Sequence, residues 1–172
     1  MHAGNFAILM TDVQGSTYLW SIDQEGMWEA LNIHHRVITD AVERLGGQIF
    51  TTAGDSFAVA FTNPDAAVKA SLDARDGLRK ADWGRIGPLK VRFAVHVGYA
   101  RYLQGDLIGP AVNRCARMLE VFEGDQVVAS QAVRDAAEWN RYRFEYLGCH
   151  PLRDFPEGEH LYLVRWLGEQ SC

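Results

Sequence analysis

Gly46-Gly47-Gln48-Ile49-Phe50-Thr51-Thr52-Ala53-Gly54-Asp55-Ser56-Phe57-Ala58-Val59-Ala60-Phe61 reads as a β-hairpin with a carboxylate at its tip. On the second arm Phe57, Val59 and Phe61 alternate with small residues, the period of a strand with one face against a core. The first arm, Gln48 to Thr52, is rich in β-branched and aromatic side chains, which suit a pleated surface. Ala53-Gly54-Asp55-Ser56 makes the turn, and Gly54 tolerates the positive φ of a tight reversal. Asp55 is thereby held at the end of a stiff element. A second carboxylate, Asp12, closes the apolar run Phe6-Ala7-Ile8-Leu9-Met10 and stands just ahead of Gly15-Ser16-Thr17. Two carboxylates at the ends of neighbouring strands are hard oxygen donors for Mg²⁺ or Mn²⁺.

Working outward, the pattern predicts a buried strand over 5–13 and a helix opening at Gly15-Ser16-Thr17, with Ser16 as N-cap. The free amides of such a helix start suit a phosphate. Met27, Leu31, Ile38, Val42 and Leu45 repeat at helical spacing over 24–45, and Gly46-Gly47 ends that helix. Asn63-Pro64-Asp65 caps a further helix to about Leu78. A loop over 80–88 leads to a strand over 90–100. The segment 102–109 reads as a loop carrying Asp106, and Pro110 begins a helix through Phe122. A short strand over 126–129, a helix from Ser130, and strands near 142–148 and 160–166 complete the chain. This order suits an α+β fold: a ferredoxin-like βαββαβ core with extra C-terminal strands and helices packed on one face of the sheet. In that topology Asp12 and Asp55 meet at one end of the sheet.

A chain of 172 residues is expected to form one domain, 1–172, with its core over about 5–166. Seventeen Lys and Arg against 22 Asp and Glu leave a net charge of −5, which argues against a nucleic-acid partner. A small anionic substrate remains open, because a few placed cations hold one. Cys115, Cys149 and Cys172 are too few and too scattered for a disulfide framework or a zinc site, so a cytoplasmic location is expected. The chain enters an apolar strand with no basic leader, and no apolar run approaches a membrane span.

Several residues remain open between chemistry and ordinary structure. Taken singly, Asp12 is a helix-start acid and Asp55 a turn acid. Together, with a phosphate-suited helix start between them, they favour a metal site. Asn113 and Arg117 lie four apart on one helix face, either aimed at a phosphate or merely exposed. Asp106 is either an acceptor for a base amino group or a solvated loop acid. His96, alternating with apolar residues, is assigned to structure. His34-His35 has no partner at ligand spacing and is assigned no metal, and Trp20, Trp28 and Phe122 are assigned to core or interface.

Three blocks, in order and spacing, make the chain resemble a class III nucleotidyl cyclase catalytic domain of the bacterial adenylate cyclase type. They are Thr11-Asp12-Val13-Gln14-Gly15-Ser16-Thr17-Tyr18-Leu19-Trp20, the Gly46–Phe61 hairpin, and Gly105-Asp106-Leu107-Ile108-Gly109-Pro110-Ala111-Val112-Asn113-Arg114-Cys115-Ala116-Arg117-Met118. The resemblance implies that Asp12, Asp55 and the Val13 carbonyl hold two metal ions. It implies that Asn113 and Arg117 steady the ribose and the transition-state phosphate, that Asp106 reads the base, and that Arg153 meets the terminal phosphates. It further implies a head-to-tail homodimer with two shared sites, acting on a nucleoside triphosphate, with ATP leading. Adenylate cyclases of this type usually carry a lysine where this chain has Thr51. The retained Asp106 only accepts hydrogen bonds when ionised, so it suits the amino group of adenine or cytosine. Cyclisation of CTP or UTP, and a degenerate nucleotide-binding dimerisation module, are the alternatives. Gln14 and Ser56 replace a more usual Glu and Gly, in no assigned role.

Overall fold

The opening apolar run becomes β1 (Ala3–Val13), an interior strand of an eight-stranded sheet. The computed structural model describes residues 3–138 and 140–169; Cys172 therefore lies outside the described residues. After β1 come α1 (Ser16–Ile22), α2 (Gln24–Glu43), β2 (Gln48–Ala53), β3 (Ser56–Phe61), α3 (Pro64–Lys80) and β4 (Val91–Leu103). Their strands lie in the order β2-β3-β1-β4, all antiparallel, which is the split βαβ arrangement. The chain continues through β5 (Asp106–Ile108), α4 (Pro110–Met118), β6 (Val127–Ser130), α5 (Gln131–Ala136), β7 (Tyr142–Leu152) and β8 (Phe155–Trp166). β6 adds parallel to β4, and β8 and β7 extend the sheet beyond it.

Both faces of the sheet are covered, which corrects the expectation of helices on one face. Ala7, Leu9 and Val13 of β1 join Phe57, Val59 and Phe61 of β3 against α2 and α3. The intervening Phe6, Ile8 and Met10 join Ala58, Ala60 and Ala94 against Ala111, Cys115 and Met118 of α4. The physical reason lies in β1 itself. A strand apolar at successive positions has two faces to bury, not one.

Local signals explain the helix ends. The Asp23 carboxylate accepts from Gly26 N at 2.9 Å and caps α2. Asn63 accepts from Asp65 N at 2.9 Å, with Pro64 in the first turn of α3. Three boundaries differ from the sequence expectation. The segment 102–109 is not a loop: Leu103 pairs with Asp106 around Gln104-Gly105, both at positive φ, the geometry of a two-residue hairpin turn. The helix from Pro110 is α-helical only to Met118 and then tightens to a 3₁₀ turn, Leu119–Val121. The last two strands run on to meet at Arg153-Asp154, where Asp154 takes φ 70°. No helix among the described residues is long and apolar enough to cross a membrane.

Candidate active site

Strand register assembles the first cluster. Asp12 on β1 stands opposite Arg92 on β4. Arg92 Nε donates to Asp12 Oδ1 at 2.8 Å, and its Nη2 donates to Oδ2, forming a fork on the carboxylate. That hydrogen bond raises the Arg92 pKa; burial opposes it, and the charges of Asp12, Glu123 and Asp55 add to it. β3 runs along the other edge of β1 and brings the β2–β3 turn to the same end. There Gly54 takes φ 62°, and Asp55 Oδ2 accepts from Val13 N at 3.2 Å. Asp55, 42 residues along the chain from Val13, thus shares one corner with the adjacent pair Asp12 and Val13.

The donor set fits a hard cation. Two carboxylates and a neighbouring backbone carbonyl are oxygen donors of the kind Mg²⁺ and Mn²⁺ take, with the other positions left to water and phosphate oxygens. The described residues contain no group of three or more His, Cys, Asp or Glu side chains placed to hold a metal ion, so a cation here would need ligands beyond the two carboxylates. Beside the cluster is a cavity of about 290 Å³ lined in part by Asp12, Thr51, Ser56, Arg92, Ala116 and Glu120. A slightly larger hollow of about 340 Å³, between α2 and α3 at Asp40, Arg44 and Asp73, contains none of these groups.

The segment after Val13 is braced. Gln14 N donates to Lys90 O at 2.8 Å, while its side chain accepts from Gly124 N at 2.8 Å and donates to Glu123 at 2.7 Å. Gly15, at φ 73°, is the N-cap of α1 and supplies no side-chain cap. Ser16 is the first helical residue, not the cap expected from sequence; the left-handed backbone at 15 needs glycine and displaces the capping role. Gly15 O accepts from Tyr18 N and Leu19 N at 3.0 and 3.2 Å, so the amides of Ser16 and Thr17 precede the first helical bonds.

A second cluster forms where the β4–β5 hairpin meets β2. Thr51 follows a register shift in β2, and its Oγ1 donates to Asp106 Oδ1 at 3.4 Å. Tyr102 OH donates to Gln48 Oε1 at 3.0 Å and ties the same two elements.

The third cluster surrounds the C-terminal end of α4. Arg117 Nη1 donates to Glu120 at 3.1 Å, and its Nη2 donates to Asp154 at 3.2 Å. Arg153, on the β7–β8 turn, donates to the same Glu120 oxygen at 2.8 Å. Asn113 is exposed one turn earlier on α4. The helix is fixed from behind. Arg114 donates to Glu157 and, at 2.8 Å, to Glu159, and lies 4.3 Å over the Phe155 ring. Gly98 of β4 lets α4 approach closely, since a Cβ there would sit 2.8 Å from Ala111 Cβ. Asn113, Arg117, Arg153 and Asp106 do not line the cavity beside Asp12.

Sequence reasoning missed Arg92, Glu120 and Asp154. Arg92 was legible only through the β1–β4 register, and the two acids only through the packing of the β7–β8 turn on α4. His96 is buried, with Nδ1 2.8 Å from Ser130 Oγ; burial, with the charge of Arg114 adding, pushes its pKa down to about 4. His34 is fully buried near Phe57, and burial, helped by His35, pushes it down to about 3. Trp28 is 59% exposed and meets Trp20 edge to face at 5.1 Å, so of the two assignments core is ruled out for it. Phe122 packs partly buried against the α4-side core.

Comparison with known proteins gives the family and the fold. Residues 1–165 match the family described as the adenylate and guanylate cyclase catalytic domain. An uncharacterized protein of Mycobacterium tuberculosis is 31% identical over 161 residues, covering 91% of this chain and 54% of that protein. An adenylate cyclase of Lachancea kluyveri is 30% identical over 153 residues, covering 74% of this chain and 8% of that enzyme. The chain thus spans about half the length of the mycobacterial relative and a small part of the fungal one. In fold it superimposes on an adenylate cyclase of Trypanosoma brucei with TM-score 0.88 at 22% identity, covering 93% of this chain and 87% of that one. The chain belongs to the class III adenylate and guanylate cyclase catalytic-domain family.

Proposed function

We propose that this chain is one catalytic domain that cyclises a nucleoside triphosphate, ATP first, to the 3′,5′-cyclic monophosphate and pyrophosphate. The reading rests on one observation above the others: Asp55 closes on the Val13 backbone next to Asp12, and Asp12 lines a cavity. Bound Mg²⁺ or Mn²⁺, two ions per site on Asp12, Asp55 and the Val13 carbonyl, would acidify the ribose 3′-hydroxyl and neutralise the leaving pyrophosphate. The amides of Gly15, Ser16 and Thr17 take phosphate oxygens, and Arg92 supplies a cation beside the carboxylates. Arg117 exchanges Glu120 and Asp154 for the α-phosphate, where charge grows in the transition state and stabilisation accelerates reaction. Asn113 orients the ribose, and Arg153 holds the terminal phosphates.

Asp106 accepts from the base amino group, and the short, uncharged Thr51 supports it from the side. That pairing keeps CTP as a second substrate, because cytosine presents an amino group as adenine does. A head-to-tail homodimer places the Asp12–Asp55 corner of one protomer against Asn113, Arg117 and Asp106 of its partner. The cavity of about 290 Å³ supports this, falling at the low end for ligand pockets and lined by none of those three residues. We place the protein in the cytoplasm, where the free thiols of Cys115 and Cys149 stay reduced.

The test is complementation. Asp12→Ala and Arg117→Ala are each expected to be inactive with ATP, GTP, CTP and UTP in Mn²⁺. Mixed in equal amounts, they should recover about a quarter of wild-type turnover, since random pairing makes half the dimers mixed, each with one intact site. No recovery in mixtures shown to contain mixed dimers refutes the shared site. Nucleotide binding by wild type with no cyclic product from any of the four identifies the non-catalytic module instead.

A further inference from the structure

Beyond the residues already given a role, α2 sends one side chain to the metal corner. His35 Nε2 lies 2.7 Å from the carbonyl oxygen of Gly54, the residue just before Asp55. A carbonyl only accepts, so Nε2 carries the proton and donates. The same ring meets Phe57 edge to face, with centroids 4.9 Å apart. Phe57 is buried in the core between the sheet and α2–α3. His35 therefore connects that core to the turn that presents Asp55.

The turn has few other restraints. Thr51, Thr52, Ala53 and Gly54 are exposed, and β2 is the edge strand of the sheet. The last ladder pair before the turn is Ala53 with Ser56. Beyond it, the bond from Val13 N to Asp55 is long, at 3.2 Å. Peptide planarity puts the Gly54 carbonyl oxygen and the Asp55 Cα in one rigid unit. Holding that oxygen fixes the position of the Asp55 Cα and the line of its N–Cα bond, and so limits where the carboxylate can reach. A metal ligand must be held to within about half an ångström, which an exposed edge turn does not achieve by itself.

We infer that His35 is a positioning residue for Asp55: its hydrogen bond to the Gly54 carbonyl presets the carboxylate for a divalent cation. The inference rests on the metal reading of Asp12 and Asp55 given above. His35 touches no reacting atom; it acts through the peptide bond between Gly54 and Asp55.

Two variants separate the donor from the ring. His35→Phe keeps an aromatic ring against Phe57 and removes the donor, whereas His35→Gln keeps an N–H donor at similar reach and removes the ring. Asp55→Ala is the control for the metal reading. Mn²⁺ binding is read without nucleotide, from the loss of the free-ion electron paramagnetic resonance signal. The Mn²⁺ concentration for half-maximal cyclase rate is measured in parallel. His35→Phe should weaken Mn²⁺ binding roughly three- to tenfold, the span of one hydrogen bond's net contribution. His35→Gln should recover most of that loss, and kcat at saturating Mn²⁺ should change less than the half-saturation point. A merely structural role would instead lower the metal-free melting temperature and leave Mn²⁺ affinity in the folded protein alone. Wild-type affinity in His35→Phe, with Asp55→Ala still losing the ion, overturns the positioning role. Absence of Asp55-dependent Mn²⁺ binding in wild type overturns the metal reading beneath it.

Discussion

Replacing Thr51 with lysine tests the proposed base-reading end of the site. In the wild-type chain Thr51 Oγ1 reaches Asp106 Oδ1 at 3.4 Å, beyond the usual range for a hydroxyl donor, and both residues are exposed. That weak bond leaves Asp106 nearly its full capacity to accept from a base amino group. Lysine would put an ammonium on a four-carbon stem beside Asp106, within reach of the ring nitrogen next to that amino group. Adenine offers an acceptor at that nitrogen, and guanine offers an N–H. A hydrogen bond to a charged group contributes about 1.5–3 kcal/mol. At 1.4 kcal/mol per decade this is roughly a 10- to 150-fold rise in the ATP-to-GTP ratio of kcat/KM. The new ion pair is exposed and adds only about 0–1 kcal/mol of stability, so the melting temperature should barely move. Initial rates with ATP and GTP in Mn²⁺, on wild type and Thr51→Lys side by side, measure the ratio. An unchanged or lower ratio in a folded variant refutes the reasoning, because Thr51 would then stand apart from the base.

Acid should weaken the fold through two histidines. His34 and His96, held down to about 3 and about 4, stay neutral in the folded chain, while the unfolded chain takes up protons below about 6.5. Stability therefore falls as pH drops from about 6.5 toward 4, by at most about 1.4 kcal/mol per histidine per pH unit, and urea midpoints at pH 7 and 5 measure it; equal midpoints contradict it. Gly98→Ala would place a methyl 2.8 Å from Ala111 Cβ and push α4 off the sheet. A cost of about 1–3 kcal/mol in thermal unfolding is expected, with a fall in kcat in the surviving folded protein, because α4 carries Asn113 and Arg117. Iodoacetamide followed by peptide mapping should label the exposed Cys149 and spare Cys115, whose thiol is buried and pushed up, until the protein is unfolded.

Much of the fold was written locally. The alternation of Phe57, Val59 and Phe61, the Asn63-Pro64-Asp65 helix start and the turn at Gly54 depend on neighbours a few residues away, and each appears where its pattern placed it. Asp12 and Asp55 could be singled out because they stand beside a helix start and a turn that the same local patterns mark, whereas Asp106, Asn113 and Arg117 stood out only through the resemblance of whole sequence blocks to a known family. The hairpin at Gln104-Gly105 was also local, but its arm β5 is only three residues long, too short for alternation to register.

Tertiary structure alone decided the rest, because register and layer are non-local. A continuous apolar run such as Phe6 to Met10 says that a strand is buried, not what covers each face; that followed only once α4 had packed opposite α2 and α3. Arg92 found Asp12 through the antiparallel pairing of β1 with β4, and one residue of slip would have turned it to the other face. Arg117, Arg153, Glu120 and Asp154 converge because the β7–β8 turn folds against the end of α4. His35 reaches Gly54 because α2 crosses behind the hairpin. Such meetings depend on distances across the sheet, and spacing along the chain does not encode them.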